Sequence, residues 1–259
     1  MQERVYKGKE KNQERSFEGR SQWLVPVEWK DGWPTIPNDP DGNGIGNTVA
    51  GWEKPIQGHP IAAPQTDDQF DGEHLGHQWQ WNHNPRNDRW SLMERPGWLR
   101  IYAGKPQRGS GFWRAANTLS QRLMGTGKGD ITAKLDVSGM VPGQVAGFCR
   151  HSGKYVLLGV EMTHEGKRLF FDNNGTKRLV GPVLKNDVFY VRSQNYGRTA
   201  TLYYSLDNKT WTQLGPEFMI TFGRWRGDRP GFFTWNKQSD AKLGYLDIDW
   251  FKYDYDGPK

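Results

Sequence analysis

Residues 144–175 read QVAGFCRHSGKYVLLGVEMTHEGKRLFFDNNG, and three runs inside them, 144–151, 154–162 and 167–172, decide the fold class. Each run is rich in Val, Leu, Phe or Tyr, and each ends in turn-forming residues. Short runs of β-formers punctuated in this way are strands. Asn173-Asn174-Gly175 is a hairpin signal leading into a short continuation at 176–180. Asn and Gly tolerate the left-handed backbone that a tight turn demands.

The pattern begins near Phe70 and runs almost to the end of the chain. Further strands are expected at 76–82, 89–93, 97–102, 119–124, 129–137, 187–195, 199–205, 211–214, 230–236 and 243–253. Ser205-Leu206-Asp207-Asn208-Lys209 supplies a second hairpin. Helical periodicity is absent, so the reading is all-β: a two-sheet jelly-roll sandwich. Alternation along Gly244–Tyr255 places Asp247, Asp249, Phe251 and Tyr253 on one face and Leu246, Ile248 and Trp250 on the other. This last strand is expected to close the sandwich beside Asp67–Asp71.

Upstream the character differs. Residues 1–66 read as an irregular N-terminal arm and linker, and 67–259 as the sandwich domain. Residues 1–20 are polar and mixed in charge. QWLVPVEW, 22–29, alternates like a strand, with Pro26 confining it to an edge or bulge. Asp31-Gly32-Trp33-Pro34 is turn chemistry, and 34–66 is a long connecting segment. Trp23, Leu24, Val27, Trp29 and Trp33 need cover, from the chain's own sandwich or from a partner.

The 259 residues include 13 Trp, 10 Tyr and 12 Phe with 32 Gly and 15 Pro, which fits many short strands and argues against disorder. The net charge is +6, but Lys and Arg are interleaved with acids along the chain, which speaks against a nucleic-acid partner. No stretch is apolar enough for a membrane-crossing helix. The single cysteine, Cys149, excludes an internal disulfide and reads as a small core residue. One cysteine and an N-terminus without an apolar run point to the cytoplasm, whereas a polymeric extracellular ligand would point to the periplasm or beyond.

Chemistry concentrates in GHQWQWNHNPRNDRWSLMER, residues 76–95. Indole rings stack on the apolar faces of sugar rings, and amides and guanidinium groups offer donors and acceptors to hydroxyls. The candidate carbohydrate-binding residues are Gln78, Gln80, Asn82, Asn84, Trp90, Arg114, Asn117, Gln121, Arg122 and Trp235, with His83 beside them. In a strand Gln78, Gln80 and Asn82 share one face, and Trp79, Trp81 and His83 the other. The polar face is expected to line a groove, with Trp79 and Trp81 in the core. The alternative is a buried polar network between strands.

Several segments together resemble the C-terminal β-sandwich of the β-xylosidase-like enzymes of glycoside hydrolase family 43. They are Gly76–Pro85, Trp90-Ser91-Leu92, Arg95–Arg100, Ala116–Arg122 and Lys134–Met140, within a span from about 67 to 256. Gly19-Arg20, Leu24–Trp29, Asp31–Pro34 and Asp41–Gly46 resemble the last strand of that family's five-bladed catalytic propeller and the linker after it. The resemblance implies a concanavalin A-like sandwich without the catalytic carboxylates, which lie on earlier blades. It also implies a catalytic propeller or a hemicellulose-type oligosaccharide such as xylan as partner.

Two further readings concern acids. Asp68 and Asp71 at the first strand, with Asp249 at the last, would offer oxygens to a structural Ca²⁺, against ordinary solvated carboxylates. Asp39-x-Asp41-x-Asn43-Gly44 imitates a calcium loop, but Ala50 stands where a bidentate Glu is needed, so it reads as a turn. The rival function is a sandwich glycosidase using Asp247 and Asp249, whose same-face spacing of roughly 6–7 Å suits a carboxylate pair.

Overall fold

Antiparallel strands joined by tight turns supply most of the regular structure in this computed structural model, which describes residues 24–44, 46–47, 53, 56–60, 62–106, 111–125, 127–223, 226–241 and 244–257. Among the described residues there is no α-helix, only two 3₁₀ turns at Asn87–Arg89 and Phe112–Arg114. The described residues up to 62 belong to one compact unit and those from 63 onward to another.

The first unit contains a hairpin of β1 (Glu28–Lys30) and β2 (Trp33–Thr35). Asp31 and Gly32 turn it with φ values of 51° and 81°. Two central residues at positive φ give the twist that paired strands require. Residues 24–27 are not strand and the ladder starts at Glu28, after Pro26, which has no N–H to give it; residue 22 of the expected run lies outside the described residues. Leu24, Val27, Trp29 and Trp33 are all exposed, Trp29 by 71% and Trp33 by 74%. Trp23 lies outside the described residues.

The second unit begins with short strands: β3 (Gln80–Trp81), β4 (Trp90–Ser91), β5 (Leu99–Tyr102) and β6 (Leu119–Ser120). Long strands follow: β7 (Lys128–Asp136), β8 (Gln144–His151), β9 (Tyr155–Thr163), β10 (Gly166–Asn173), β11 (Lys177–Val183), β12 (Val188–Tyr196) and β13 (Thr199–Ser205). The set closes with β14 (Thr212–Gln213), β15 (Phe218–Met219), β16 (Arg229–Asn236) and β17 (Tyr245–Tyr255). One sheet has the order β11-β10-β9-β8-β16-β6-β3, and the other β14-β13-β12-β7-β17-β5-β4, with β15 also paired to β13.

Alternation builds the core. Ala146 and Phe148 of β8, Leu158 and Val160 of β9, and Phe232 of β16 face Leu135 of β7, Val191 of β12 and Ile248 of β17 between the sheets. At the centre Trp79 meets Phe70, Phe232 and Phe251, with ring centroids 5.6, 5.8 and 5.0 Å away. Trp79 Nε1 donates to Asp68 Oδ2 at 2.6 Å, so its one polar atom is satisfied. We expect Asp68→Ala, which strands that buried donor, to cost about 1–3 kcal/mol. Urea unfolding checks this; an unmoved midpoint would show that the bond contributes nothing.

Two details depart from plain alternation. Residues 76–79 form a turn, closed by Trp79 N to Gly76 O at 3.1 Å, so the expected strand at 76–82 shrinks to Gln80–Trp81. In β17 the register against β7 shifts between Ile248 and Trp250, leaving Asp249 as an extra residue. A bulge of one residue exchanges the faces beyond it. Leu246 and Ile248 point inward before it, and Phe251, Tyr253 and Tyr255 after it, which corrects the expected split of this strand into two uniform faces. The last strand does lie beside the start of the sandwich: Asp68 N donates to Phe251 O at 2.9 Å and Phe251 N to Asp68 O at 2.8 Å.

Candidate functional site

The outer face of the seven-stranded sheet carries a second cluster of rings. Phe233 and Trp235 of β16, Cys149 of β8, Leu157 of β9 and Phe170 of β10 lie on it. Gly159 lets the rings down onto the sheet: a Cβ there would stand 3.0 Å from Phe233 and 3.2 Å from Phe170. The 3₁₀ turn Phe112–Arg114 covers this half, with Phe112 within 5.0 Å of the Tyr155 ring and 5.3 Å of the His151 ring. Trp235 is thus buried beneath neighbours rather than presented to solvent. Cys149 is buried, and burial pushes its thiol well above the ordinary range, so it is no nucleophile.

The other half of the face is polar and open. Gln80 accepts from Arg229 Nη1 at 2.6 Å, and Asn82 accepts from Arg226 Nη2 at 2.5 Å. His83 Nε2 lies 3.0 Å from the Trp113 carbonyl and 3.3 Å from Asn82 Nδ2. Arg122 is exposed on the same face. Burial, followed by the charges of Arg226 and Arg122, draws the Arg229 guanidinium down to about 10. Burial also lowers Arg226. His151, fully buried next to them, is drawn down to about 3, by burial first and then by Arg226, Arg229 and His83.

The expected sugar-contacting set therefore divides. Gln80, Asn82 and Arg122 share the polar end, and Asn84 and Arg114 are exposed. Gln78 does not stand beside Gln80: the turn at 76–79 sends its amide to Asp68 Oδ2 at 3.2 Å. Trp90 packs on Trp81 at 5.4 Å, against the core. Asn117 is buried and ties down the backbone of Arg86, with both bonds at 3.0 Å. Gln121 turns inward and donates to Thr66 O at 2.7 Å. Buried amides are paired in this way wherever they occur. Sequence reading passed over Arg226 and Arg229. The signal was present in Arg224-Trp225-Arg226-Gly227-Asp228-Arg229, a basic run at the mouth of a strand.

The acids are engaged as acceptors. Asp247 is fully buried and receives Arg100 Nε and Nη2, both at 2.8 Å, and Arg95 Nη1 at 2.9 Å. Arg95 also reaches Asp136, which stands opposite Asp247 across the ladder. Burial alone would raise Asp136; hydrogen bonds from Arg95 and Ser138 outweigh it and hold the carboxyl below its ordinary range. Asp249 pairs with Lys134 at 2.6 Å. Asp247 and Asp249 precede and follow the inward-facing Ile248, and each carboxylate is held by its own cations, Arg95 and Arg100 on Asp247 and Lys134 on Asp249. Asp71 is exposed, Asp68 receives Trp79 and the Phe70 amide, and Asp249 has its own lysine. The structure does not bring these three together, and no group of three or more His, Cys, Asp or Glu suited to a metal occurs among the described residues.

Between the sheets, Arg150 of β8 is buried with Asp228 just before β16. Arg150 Nε donates to Asp228 Oδ2 at 2.7 Å, and Nη1 to Ser193 Oγ at 2.6 Å and to Asn195. Burial pushes the Asp228 carboxyl up, against the pull of Arg150. A cavity of about 290 Å³ adjoins the pair, with Lys154, Glu217 and Thr221 in its wall.

Comparison with known proteins agrees with this architecture. Residues 67–254 match the family described as "Beta xylosidase C-terminal Concanavalin A-like domain". A beta-xylosidase of Formosa agariphila is 49% identical over 96% of this chain and 45% of its own length. A putative beta-xylosidase of Xylanibacter ruminicola is 34% identical over 86% of the chain and 41% of its own length. The crystal structure of the GH43 protein BlXynB from Bacillus licheniformis superimposes with a TM-score of 0.71 at 26% identity, covering 92% of this chain and 47% of that one. The chain spans less than half the length of these relatives.

Proposed function

The chain belongs to the family of β-xylosidase C-terminal concanavalin A-like domains, and from that premise we propose that it is a non-catalytic module. In this reading it supports a family 43 catalytic propeller and holds a xylan-type chain on the open end of its seven-stranded sheet. The observation that carries the docking role is the β1–β2 hairpin, which presents Trp29 and Trp33 to solvent. Two exposed indoles on three-residue strands suit a surface that another domain covers. For the sugar, Gln80, Asn82 and His83 offer amide and imidazole groups beside the half-buried ring of Trp113. Asp247 and Asp249 favour no catalytic role, since each is held by cations.

The test is isothermal titration of the chain with xylohexaose, together with an assay on an aryl xyloside. We expect saturable heat that Gln80→Ala with Asn82→Ala weakens about tenfold, the worth of one or two lost hydrogen bonds, and no turnover. Turnover abolished by Asp249→Asn would overturn the non-catalytic reading. No heat at millimolar sugar would leave docking as the module's sole role.

A further inference from the structure

The polar end of the sheet carries more positive charge than a neutral sugar needs. Arg229 of β16 stands opposite His151 of β8, which stands opposite Tyr155 of β9. On the other side the ladder continues past β6, with Gln121 N donating to Pro230 O and Leu123 N to Asp228 O. That register sets Arg122 beside Arg229. Arg226 reaches the same spot from the preceding segment and binds Asn82. Like charges directly across a ladder repel, and partial burial strengthens the repulsion by thinning the water between them.

Among the described residues, Arg122, Arg226 and Arg229 make no ion pair. The nearest acid in sequence, Asp228, is turned to the inter-sheet side, where it is committed to Arg150. Arg226 and Arg229 bind only amide oxygens, and Arg229 Nε is buried without a hydrogen-bond partner. Crowded, half-dried guanidinium groups with donors to spare are the equipment for a carboxylate, which accepts bidentate Arg hydrogen bonds.

We propose that Arg122, Arg226 and Arg229 form a subsite for the carboxylate of a uronic acid carried on the saccharide, with Gln80, Asn82 and His83 serving its hydroxyls. This deepens the sugar-binding reading given above and rests on it. The amides and the Trp113 ring beside the cations favour a sugar acid over a bare inorganic anion.

The test is titration of the 259-residue chain with xylotetraose and with a xylo-oligosaccharide of similar length bearing one glucuronic acid branch. The acidic oligosaccharide is expected to bind about tenfold tighter or more, the effect of one charge-assisted hydrogen bond. The advantage is expected to shrink between low and high salt and to vanish in Arg229→Gln and in Arg226→Gln. Neither variant is expected to lower the melting temperature in the absence of ligand, because each relieves repulsion; circular dichroism checks that each has folded. Equal affinity for the two oligosaccharides would overturn the subsite and leave neutral sugar binding standing. Failure of both to bind would overturn the subsite and the sugar-binding reading together. Acetate or phosphate binding as tightly as the sugar acid would reduce the site to a general anion trap and overturn the uronic acid assignment.

Discussion

Replacing Asp228 by Ala is expected to destabilise the sandwich by about 3–5 kcal/mol, the cost of leaving a buried charge without its partner. Arg150 is 1% exposed and cannot swing out to water. Its guanidinium spans the gap between the sheets, from Asp228 on one side to Ser193 and Asn195 of β12 on the other. Without the carboxylate the positive charge would remain in a low-dielectric interior, served only by a hydroxyl and an amide. A buried pair differs in this respect from the surface pairs of this chain, such as Arg178 with Glu161, whose loss costs little because water screens them. Urea unfolding measures the difference. A second variant, Arg150→Met in the Asp228→Ala background, removes the stranded charge and is expected to recover much of the loss. If the single variant costs under about 1 kcal/mol, water already reaches the pair through the adjoining cavity and the argument fails.

The second large effect is one of pH. His151 has both ring nitrogens without a hydrogen-bond partner, and its imidazole is held at about 3 against an ordinary 6.5. The folded chain therefore keeps this ring neutral, whereas the unfolded chain protonates it below about 6.5. The unfolded state then binds more protons, so stability falls as pH falls. The contribution is fully present above pH 6.5 and is lost progressively between 6.5 and about 3. The slope approaches ~1.4 kcal/mol per pH unit, amounting to about 3 kcal/mol by pH 4. Arg226, Arg229, His83 and Arg150 surround the ring with positive charge, and no carboxylate is among the groups that set its shift. His151→Phe keeps a ring against Phe112 and Trp113 and removes the titration, so its stability is expected to stay flatter over this range. Equal slopes in the parent chain and the variant would assign the acid sensitivity elsewhere.

The long strands were legible because their signal is local. β8, with Val145 to Arg150 alternating over both buried faces, and β13, with Thr199 to Ser205, fall where β-formers and turn residues set them. The short strands β4, β5, β6 and β14 also lie inside expected runs, but β15 does not. β15 is two residues beyond Pro216, and its pairing with Thr199 and Ala200 is a long-range contact with no periodicity to announce it. The bulge at Asp249 was invisible for the same reason, since an extra residue is defined only against its partner strand. For the site, side-chain chemistry grouped Gln80, Asn82 and Arg122, which the fold leaves at the open polar end, with Asn117 and Gln121, which it buries. Those two amides have the same chemistry and spend it on the backbone of Arg86 and Thr66. Arg226 and Arg229 gained meaning only when the fold set them beside β3 and β6.

The sandwich also begins and finishes at one corner. Thr66 and Asp67 lie along Tyr253, and Asp68 along Phe251, running antiparallel. Tension applied between the chain before residue 66 and the chain after Tyr255 would meet these bonds one at a time, as a zipper does, and not all together in shear. The mechanical weak point of the domain is thus its own seam. The first piece to peel would be residues 66–68, held to β17 by a single bridge and two side-chain bonds, while β17 stays fixed along both β7 and β5.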